Sequence, residues 1–396
     1  MLQDTTSEAP AQRAARLIDW PMSWMRRLTR LYEIRPTAHS KLAALEGIRG
    51  FSVLLVFCVH VFGLYLSIRT GRDPDATALQ AFNGIDLPLA WLFFSHHGVY
   101  IFFVLSGFLI GRLLQRPDFD FGTFVRHRVV RIYPAFIASL VLAIYYKVEV
   151  SREMTLSLQL IVQNVLLMNG LPVLRIPAYN PVTWSLFNEF AFYVSFAFVV
   201  AICGRQVISR WWQLITAALA LVFLPYVVGY VDARFLFFFF GLWIAGRDEA
   251  QLKEIANTVP GIYVVAFYLF AAISWPVRLV EFGTFIFFFG IATVLLIIKC
   301  CYGEGVLRRA ATWTPLRYLG NISYSFYLVH GIVIQWLASL LQPLATDGVQ
   351  TLAMFALIAF CISWVTATAL FVVAERPYFH VRAQRKSRAI SVSASS

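Results

Sequence analysis

The stretch from Leu45 to Leu66 (LEGIRGFSVLLVFCVHVFGLYL) constrains the fold of this chain more than any other. It is long and apolar enough to cross a bilayer as a helix. It also carries Glu46 and Arg49 near one end and His60 in its interior, where an ionisable side chain is costly and usually has a function. In a helix, the step from Arg49 to His60 is three turns plus roughly 20°, with a rise of roughly 16 Å. Both side chains therefore lie on one face.

Composition places the whole chain in the same class. Of its 396 residues, 59% are hydrophobic and only 14% are charged, which excludes an ordinary soluble domain. We predict an all-α, polytopic integral membrane bundle with about ten transmembrane helices. The predicted spans are about 45–67, 97–115, 132–148, 184–203, 213–230, 233–246, 260–276, 282–300, 317–341 and 350–373.

The net charge of +12 reflects orientation in the membrane rather than a nucleic-acid partner. Basic residues cluster at both termini and in alternate loops, so the positive-inside rule predicts that both termini are cytoplasmic. We expect a cytoplasmic amphipathic segment over 1–44, a transmembrane domain over 45–377, and a basic, Ser-rich tail over 378–396. Residues 149–183 are predicted to form an external helix and loop packed on the bundle. The five cysteines show no metal-ligand spacing, and we expect no metal.

Six short motifs follow one another from about Leu45 to Pro377. They read LEGIRGFSVLLVFCVH, GVYIFFVLSGFLIG, FVRHRVVRIYPAF, WSLFNEFAFYV, LGNISYSFYLVHG and, at 375–377, ERP. Each motif alone is weak evidence, but the ordered set resembles the membrane acyltransferase 3 family over nearly the whole chain. The resemblance implies a multi-pass enzyme of the bacterial cytoplasmic membrane that moves an acyl group, usually acetyl, from cytoplasmic acyl-CoA to a carbohydrate on the far side. We expect the stand-alone form, without an external hydrolase-like domain.

The same resemblance implies that the Arg-x10-His pair, Arg49 and His60, is functional, and likewise the Arg-x-Arg pair formed by Arg126 and Arg128. Transfer to a hydroxyl needs a base, and a histidine with a pKa near neutrality suits that role. His60 is therefore the candidate catalytic base, and an acyl-histidine intermediate is a variant of this mechanism. The alternative is a structural histidine held by an interhelical hydrogen bond.

Three arginines within six residues point to a phosphate site. Coenzyme A carries a diphosphate and a ribose phosphate, which guanidinium groups bind well. We expect Arg126, Arg128 and Arg131, in an internal basic loop, to form that site, although such a loop could serve only to fix topology. Arg49 could extend the site towards the thioester, or form an ion pair with Glu46 one turn away.

Further candidates lie on other predicted spans. Glu189 could orient the histidine of the first span, accept a proton or hold the sugar, or it could be an interfacial residue. Trp184 could stack on the sugar or belong to an aromatic belt. Ser106, which precedes a glycine, could line the substrate path or serve helix packing. Tyr327 and His330 share a helical face that could line the substrate path or join helices through hydrogen bonds.

A different class of function fits part of this pattern. A proton-coupled transporter of a sugar, a lipid-linked intermediate or a drug could also use buried histidine and glutamate residues. Such a protein would be expected to show internal repeats and broken helices, and neither is evident in the sequence. The acceptor, and the choice between acetyl and succinyl, do not follow from the sequence.

Overall fold

The computed structural model describes residues 31–33, 41–70, 97–223, 233–276, 279–341 and 348–379, and within these ranges all regular structure is helical. The predicted all-α membrane bundle is thus confirmed. The α-helices are α1 (Lys41–Thr70), α2 (His97–Leu114), α3 (Phe121–Tyr145), α4 (Leu158–Val165), α5 (Thr183–Cys203), α6 (Trp211–Ala218), α7 (Leu236–Ala245), α8 (Glu249–Thr258), α9 (Gly261–Ser274), α10 (Phe282–Tyr302), α11 (Val306–Ala311), α12 (Thr314–Asn321), α13 (Ser323–Leu340) and α14 (Gly348–Leu370).

Six of the described helical segments are long and apolar enough to cross a membrane. They are Lys41–Leu64, His97–Leu114, Phe121–Val150, Thr183–Cys203, Phe282–Tyr302 and Gln350–Phe379. The pair α8 and α9, bent by 87°, makes a seventh if the two helices form one span. The apolar helices near two further predicted spans are shorter, Gln213–Val222 and Ala233–Ala245. The count of ten spans stays a prediction.

Two predicted span boundaries were wrong. The third span, expected from 132, begins at Phe121, because the Asp120 side chain caps the helix by accepting a hydrogen bond from the Thr123 N–H at 2.8 Å. The same contact lowers the pKa of Asp120. The basic segment that was predicted as a loop is therefore helical. The span expected over 317–341 is two helices, α12 and α13, with a break at Ile322.

The segment 149–183 packs on the bundle as predicted. It contains α4 and short 3-10 turns. The Asn164 side chain ties α4 to the following loop by donating to the Pro177 carbonyl at 3.1 Å. The Asn180 side chain then donates to the Leu328 carbonyl of α13 at 2.9 Å. This connection is fixed to the helix that carries His330.

Most of the predicted amphipathic segment over 1–44 falls outside the described residues, and so does most of the predicted tail over 378–396. Within that N-terminal segment, Tyr32 packs on the bundle. Its ring stacks on Tyr318 with centroids 5.3 Å apart, and its hydroxyl accepts a hydrogen bond from the Trp364 indole at 3.0 Å.

Helix α1 lies at the centre of the bundle, against α2, α10, α11, α12, α13 and α14. Helices α3, α5 and α14 are more peripheral and expose large apolar side chains, including Val141, Ile202, Leu357 and Val365. Apolar side chains on the outer surface suit contact with lipid.

The backbones of α1 and α12 touch. A Cβ atom added to Gly50 would lie 1.9 Å from the Leu316 carbonyl oxygen, and one added to Gly320 would lie 1.7 Å from the Glu46 carbonyl oxygen. Only glycine allows this approach, which is typical of close helix packing in membranes. The side chain of Arg317 is buried and pairs with Glu46: its Nε and Nη2 atoms each lie 3.0 Å from Glu46 Oε2. The Glu46 carboxylate is thus held by an arginine of another helix, whereas the sequence offered Arg49 as one alternative partner.

We expect Gly50→Ala to lower the melting temperature of the purified protein, because the new methyl group overlaps the α12 backbone and overpacking costs about 1–3 kcal/mol. The matched control is Gly283→Ala in α10, where an added Cβ meets nothing within 4 Å. That change should leave stability unchanged or raise it, since alanine favours helix by about 1 kcal/mol. Thermal unfolding in one detergent checks both, and equal melting temperatures would contradict the α1–α12 contact.

Candidate functional site

One end of the bundle interior holds a group of charged and polar side chains, here called the arginine cluster: Arg49, Arg128, Arg131, Glu189, Tyr193 and Glu375. Arg49 from α1 interacts electrostatically with Arg131, Glu189 and Glu375. Arg128 lies over the Tyr193 ring at 5.8 Å and over the Phe124 ring at 5.4 Å. Four separate helical segments therefore bring opposite charges together in an otherwise apolar bundle.

Arg126 is separated from the other two arginines of its motif. Residues 126 and 128 are about 200° apart on a helix, whereas 128 and 131 share a face. In α3 the Arg128 side chain is buried and Arg131 is half-buried, but Arg126 is exposed. The expectation that all three converge assumed a loop, and the helix divides them between two faces.

Glu189 belongs to the arginine cluster. Its Oε1 accepts hydrogen bonds from the Ser106 hydroxyl at 2.6 Å and from the Tyr193 hydroxyl. The structure thus brings together two predicted residues, Ser106 of α2 and Glu189 of α5. The sequence suggested that Glu189 could orient His60, but the ring that contacts His60 is that of His330.

Glu375 was missed by the sequence reasoning. Its side chain is 3% exposed and lies in the π-helical turn Phe371–Glu375 that follows α14. One carboxylate oxygen accepts from the Ser325 N–H at 3.0 Å and from the Ser325 hydroxyl at 2.5 Å. The carboxylate also interacts with the charges of Arg131 and Arg49. The signal in the sequence is an acidic residue at the end of an apolar span, within the ERP motif.

A hydroxyl pair lies between the arginine cluster and the histidines. The Tyr327 hydroxyl is 2.6 Å from the Ser185 hydroxyl and donates to the Val182 carbonyl at 3.0 Å. Its ring centroid is 5.8 Å from that of His330, and the phenol group interacts electrostatically with Glu189. Tyr327, predicted in the substrate path, therefore connects the two ends of the site.

The other end of the site is the histidine pair, His60 of α1 and His330 of α13. His60 Nδ1 is 3.2 Å from His330 Nε2, and the ring centroids are 4.9 Å apart. His60 Nδ1 also lies 2.7 Å from the Val56 carbonyl oxygen. His330 is fully buried. The sequence selected both histidines separately, but it gave no sign that they touch.

Trp184 lies to one side of this arrangement. Its ring packs edge-on against Phe103, with centroids 6.2 Å apart, and the Arg234 guanidinium lies over it at 5.2 Å. The polar column is the set of predicted site residues that these contacts link from the arginine cluster to the histidine pair: Arg49, Ser106, Arg128, Arg131, Glu189, Tyr327, His60 and His330. Trp184 and the exposed Arg126 lie outside this set.

The chain is similar to known acyltransferases. The family model described as an acyltransferase domain matches residues 42–372. Acyltransferase MdmB of Streptomyces mycarofaciens is 25% identical over 406 aligned residues, which cover 87% of this chain and 94% of that protein. No solved structure was found to match.

These matches cover the helical bundle from the start of α1 to the end of α14. Together with the apolar helices, they make this a multi-pass membrane protein, and they favour the enzyme over the transporter that the sequence left open. The chain belongs to the acyltransferase 3 family and is an enzyme that transfers acyl groups.

Proposed function

We propose that this enzyme moves an acyl group, with acetyl the expected one, from cytoplasmic acyl-CoA to a hydroxyl of an envelope or exported carbohydrate. The observation that carries the proposal is the polar column, which runs from the arginine cluster to the histidine pair through the apolar bundle. Its two ends are Arg49 and His60 on one face of α1, about 16 Å apart along the helix axis. An arrangement of this kind suits a donor that is anionic at one end and reactive at the other.

The arginine cluster is the proposed site for the coenzyme A phosphates. Arg128 and Arg131 share a face of α3, and Arg49 approaches them from α1. Guanidinium groups bind phosphate through strong, charge-assisted hydrogen bonds. Glu189 and Glu375 offset part of the positive charge while the site is empty, which lowers the cost of holding arginines within the bundle. The thioester arm would then follow the column past Tyr327.

The proposed reaction takes place at His60. The acceptor hydroxyl loses its proton to the imidazole as its oxygen attacks the thioester carbonyl. A C–O bond forms and the C–S bond breaks, so an ester is produced and coenzyme A leaves as a thiolate. The thiolate takes up a proton, which His60 can return. The acceptor would enter from the side of the membrane opposite the arginine cluster.

We expect His60→Ala to abolish acyl transfer, because the reaction would lose its base and general-base catalysis contributes about 100- to 10,000-fold. Membranes carrying the wild-type protein or the variant are given radiolabelled acetyl-CoA, and label in envelope carbohydrate and released thiol are measured. The control is Cys58→Ala in the same helix, which should retain transfer at an equal amount of protein in the membrane. Transfer by His60→Ala at the wild-type rate would refute this role.

Because the helix separates Arg126 from Arg128 and Arg131, we expect alanine substitutions at these positions to weaken acetyl-CoA binding by different amounts. We expect Arg128→Ala and Arg131→Ala each to weaken acetyl-CoA binding by about 10-fold or more, since a hydrogen bond to a charged group is worth about 1.5–3 kcal/mol. The exposed Arg126 is the matched control, and Arg126→Ala should change affinity less. Titration calorimetry with acetyl-CoA gives the affinities. A larger loss in Arg126→Ala than in the other two would contradict the proposed phosphate site.

A further inference from the structure

The hydrogen bonds of His330 define which of its ring nitrogens carries a proton. His330 Nδ1 lies 2.8 Å from the Tyr327 carbonyl oxygen and 3.1 Å from the Phe326 carbonyl oxygen. A carbonyl oxygen only accepts hydrogen bonds, so Nδ1 is the donor. In the neutral ring, Nε2 of His330 is then an acceptor.

The same argument applies to His60. Its Nδ1 lies 2.7 Å from the Val56 carbonyl oxygen, so this nitrogen also carries a proton. That Nδ1–H faces Nε2 of His330 at 3.2 Å. The N–H is shared between the Val56 carbonyl and the His330 ring. A proton on His330 Nε2 would set two N–H groups against each other, so the contact favours a neutral His330.

These assignments leave the lone pair of neutral His60 on Nε2, because Nδ1 makes the contacts to Val56 and His330. A base that must take a proton from a hydroxyl needs its lone pair on a fixed nitrogen. In hydrolytic triads, the orienting group is usually a carboxylate that accepts the Nδ1–H of the base. A second imidazole can accept the same proton without adding a charge inside an apolar bundle, where an unpaired charge is costly.

We propose that His330 is a positioning residue that accepts the Nδ1–H of His60, holds its ring, and so presents Nε2 as the base. The inference rests on the proposed function of His60. When His60 takes a proton, its Nδ1–H bond to His330 becomes charge-assisted and stronger, which stabilises the state formed during transfer. His330 itself is held by its two backbone contacts and by Phe326, whose ring stacks on it with centroids 5.9 Å apart.

The packing around the pair keeps this orientation. Phe326 packs edge-on against Phe57 of α1, with ring centroids 5.9 Å apart. Phe57 and Phe326 both also contact Phe360 of α14, at 5.4 and 5.7 Å. Three helices therefore fix the relative positions of α1 and α13 at the depth of the histidines. The His330 side chain therefore has little freedom to turn.

The first test determines the tautomers of His60 and His330 and does not depend on acyl transfer. The protein is labelled with 15N-histidine in nanodiscs, and the His60 and His330 signals are assigned by their loss in His60→Ala and His330→Phe. We expect both rings to be neutral, with a proton on Nδ1 and an unprotonated Nε2. A proton on Nε2 of either neutral ring would overturn the proposal, whether or not the enzyme transfers acyl groups.

The second test is kinetic. His330→Phe keeps a flat ring but removes the acceptor, and we expect kcat for acetyl transfer to fall about 10- to 100-fold, as for loss of one charge-assisted hydrogen bond. The KM for acetyl-CoA should stay within about 3-fold. His330→Gln, whose amide oxygen can accept the Nδ1–H, should recover part of kcat.

An unchanged kcat in His330→Phe would overturn the positioning role while leaving His60 as the base. Equal losses in the Phe and Gln variants at wild-type melting temperature would also count against it, because packing and not hydrogen bonding would then explain the effect. If His60→Ala retained transfer, the proposed role of His60 as the base would fail and the positioning role of His330 with it, whereas acyl transfer by this enzyme would stand. The tautomer measurement would still report on the pair.

Discussion

The backbone contact between α1 and α12 is the constraint on which the rest of the structure depends. Gly50 and Gly320 let the two helices touch, and the ion pair between Glu46 and Arg317 joins them at the same level. This contact places α1 in the middle of the bundle, with other helices around it. Because α1 is central, the face that carries Arg49 and His60 meets groups of α3, α5, α13 and the turn after α14. Arg49 and His60 can therefore meet partners at two depths.

Charged groups inside an apolar bundle are stable only when each has partners. In the described part of the chain, the partners are side chains and backbone groups at hydrogen-bond distance. Glu189 is held by two hydroxyl groups, and Glu375 by the backbone and side chain of Ser325. The two carboxylates then interact with the arginines. Groups held in this way are ordered in advance, which lowers the cost of ordering them when a ligand binds.

Helix geometry determines which residues of the two recognisable motifs share a helical face. In the Arg-x10-His motif, the spacing keeps both residues on one face, so they can act on the two ends of one substrate. In the Arg-x-Arg motif, the spacing sends Arg126 outward and Arg128 inward, while Arg131, outside the motif, joins Arg128. A residue three or four positions away on a helix is thus a closer functional neighbour than one two positions away.

The sequence alone determined the helical membrane class and the family, and it predicted roles for Arg49 and His60 on a common face, because hydropathy and helical periodicity are local properties. It also marked Ser106, Glu189, Tyr327 and His330 as candidates. Only the tertiary structure decided which of them touch: Ser106 with Glu189, and His60 with His330. These contacts join residues far apart in the chain, and so does the pairing of Glu46 with Arg317. Glu375 is recognised as a member of the arginine cluster only from the packing of α14 on α13, since the partners of a side chain depend on helix packing and not on its neighbours in sequence.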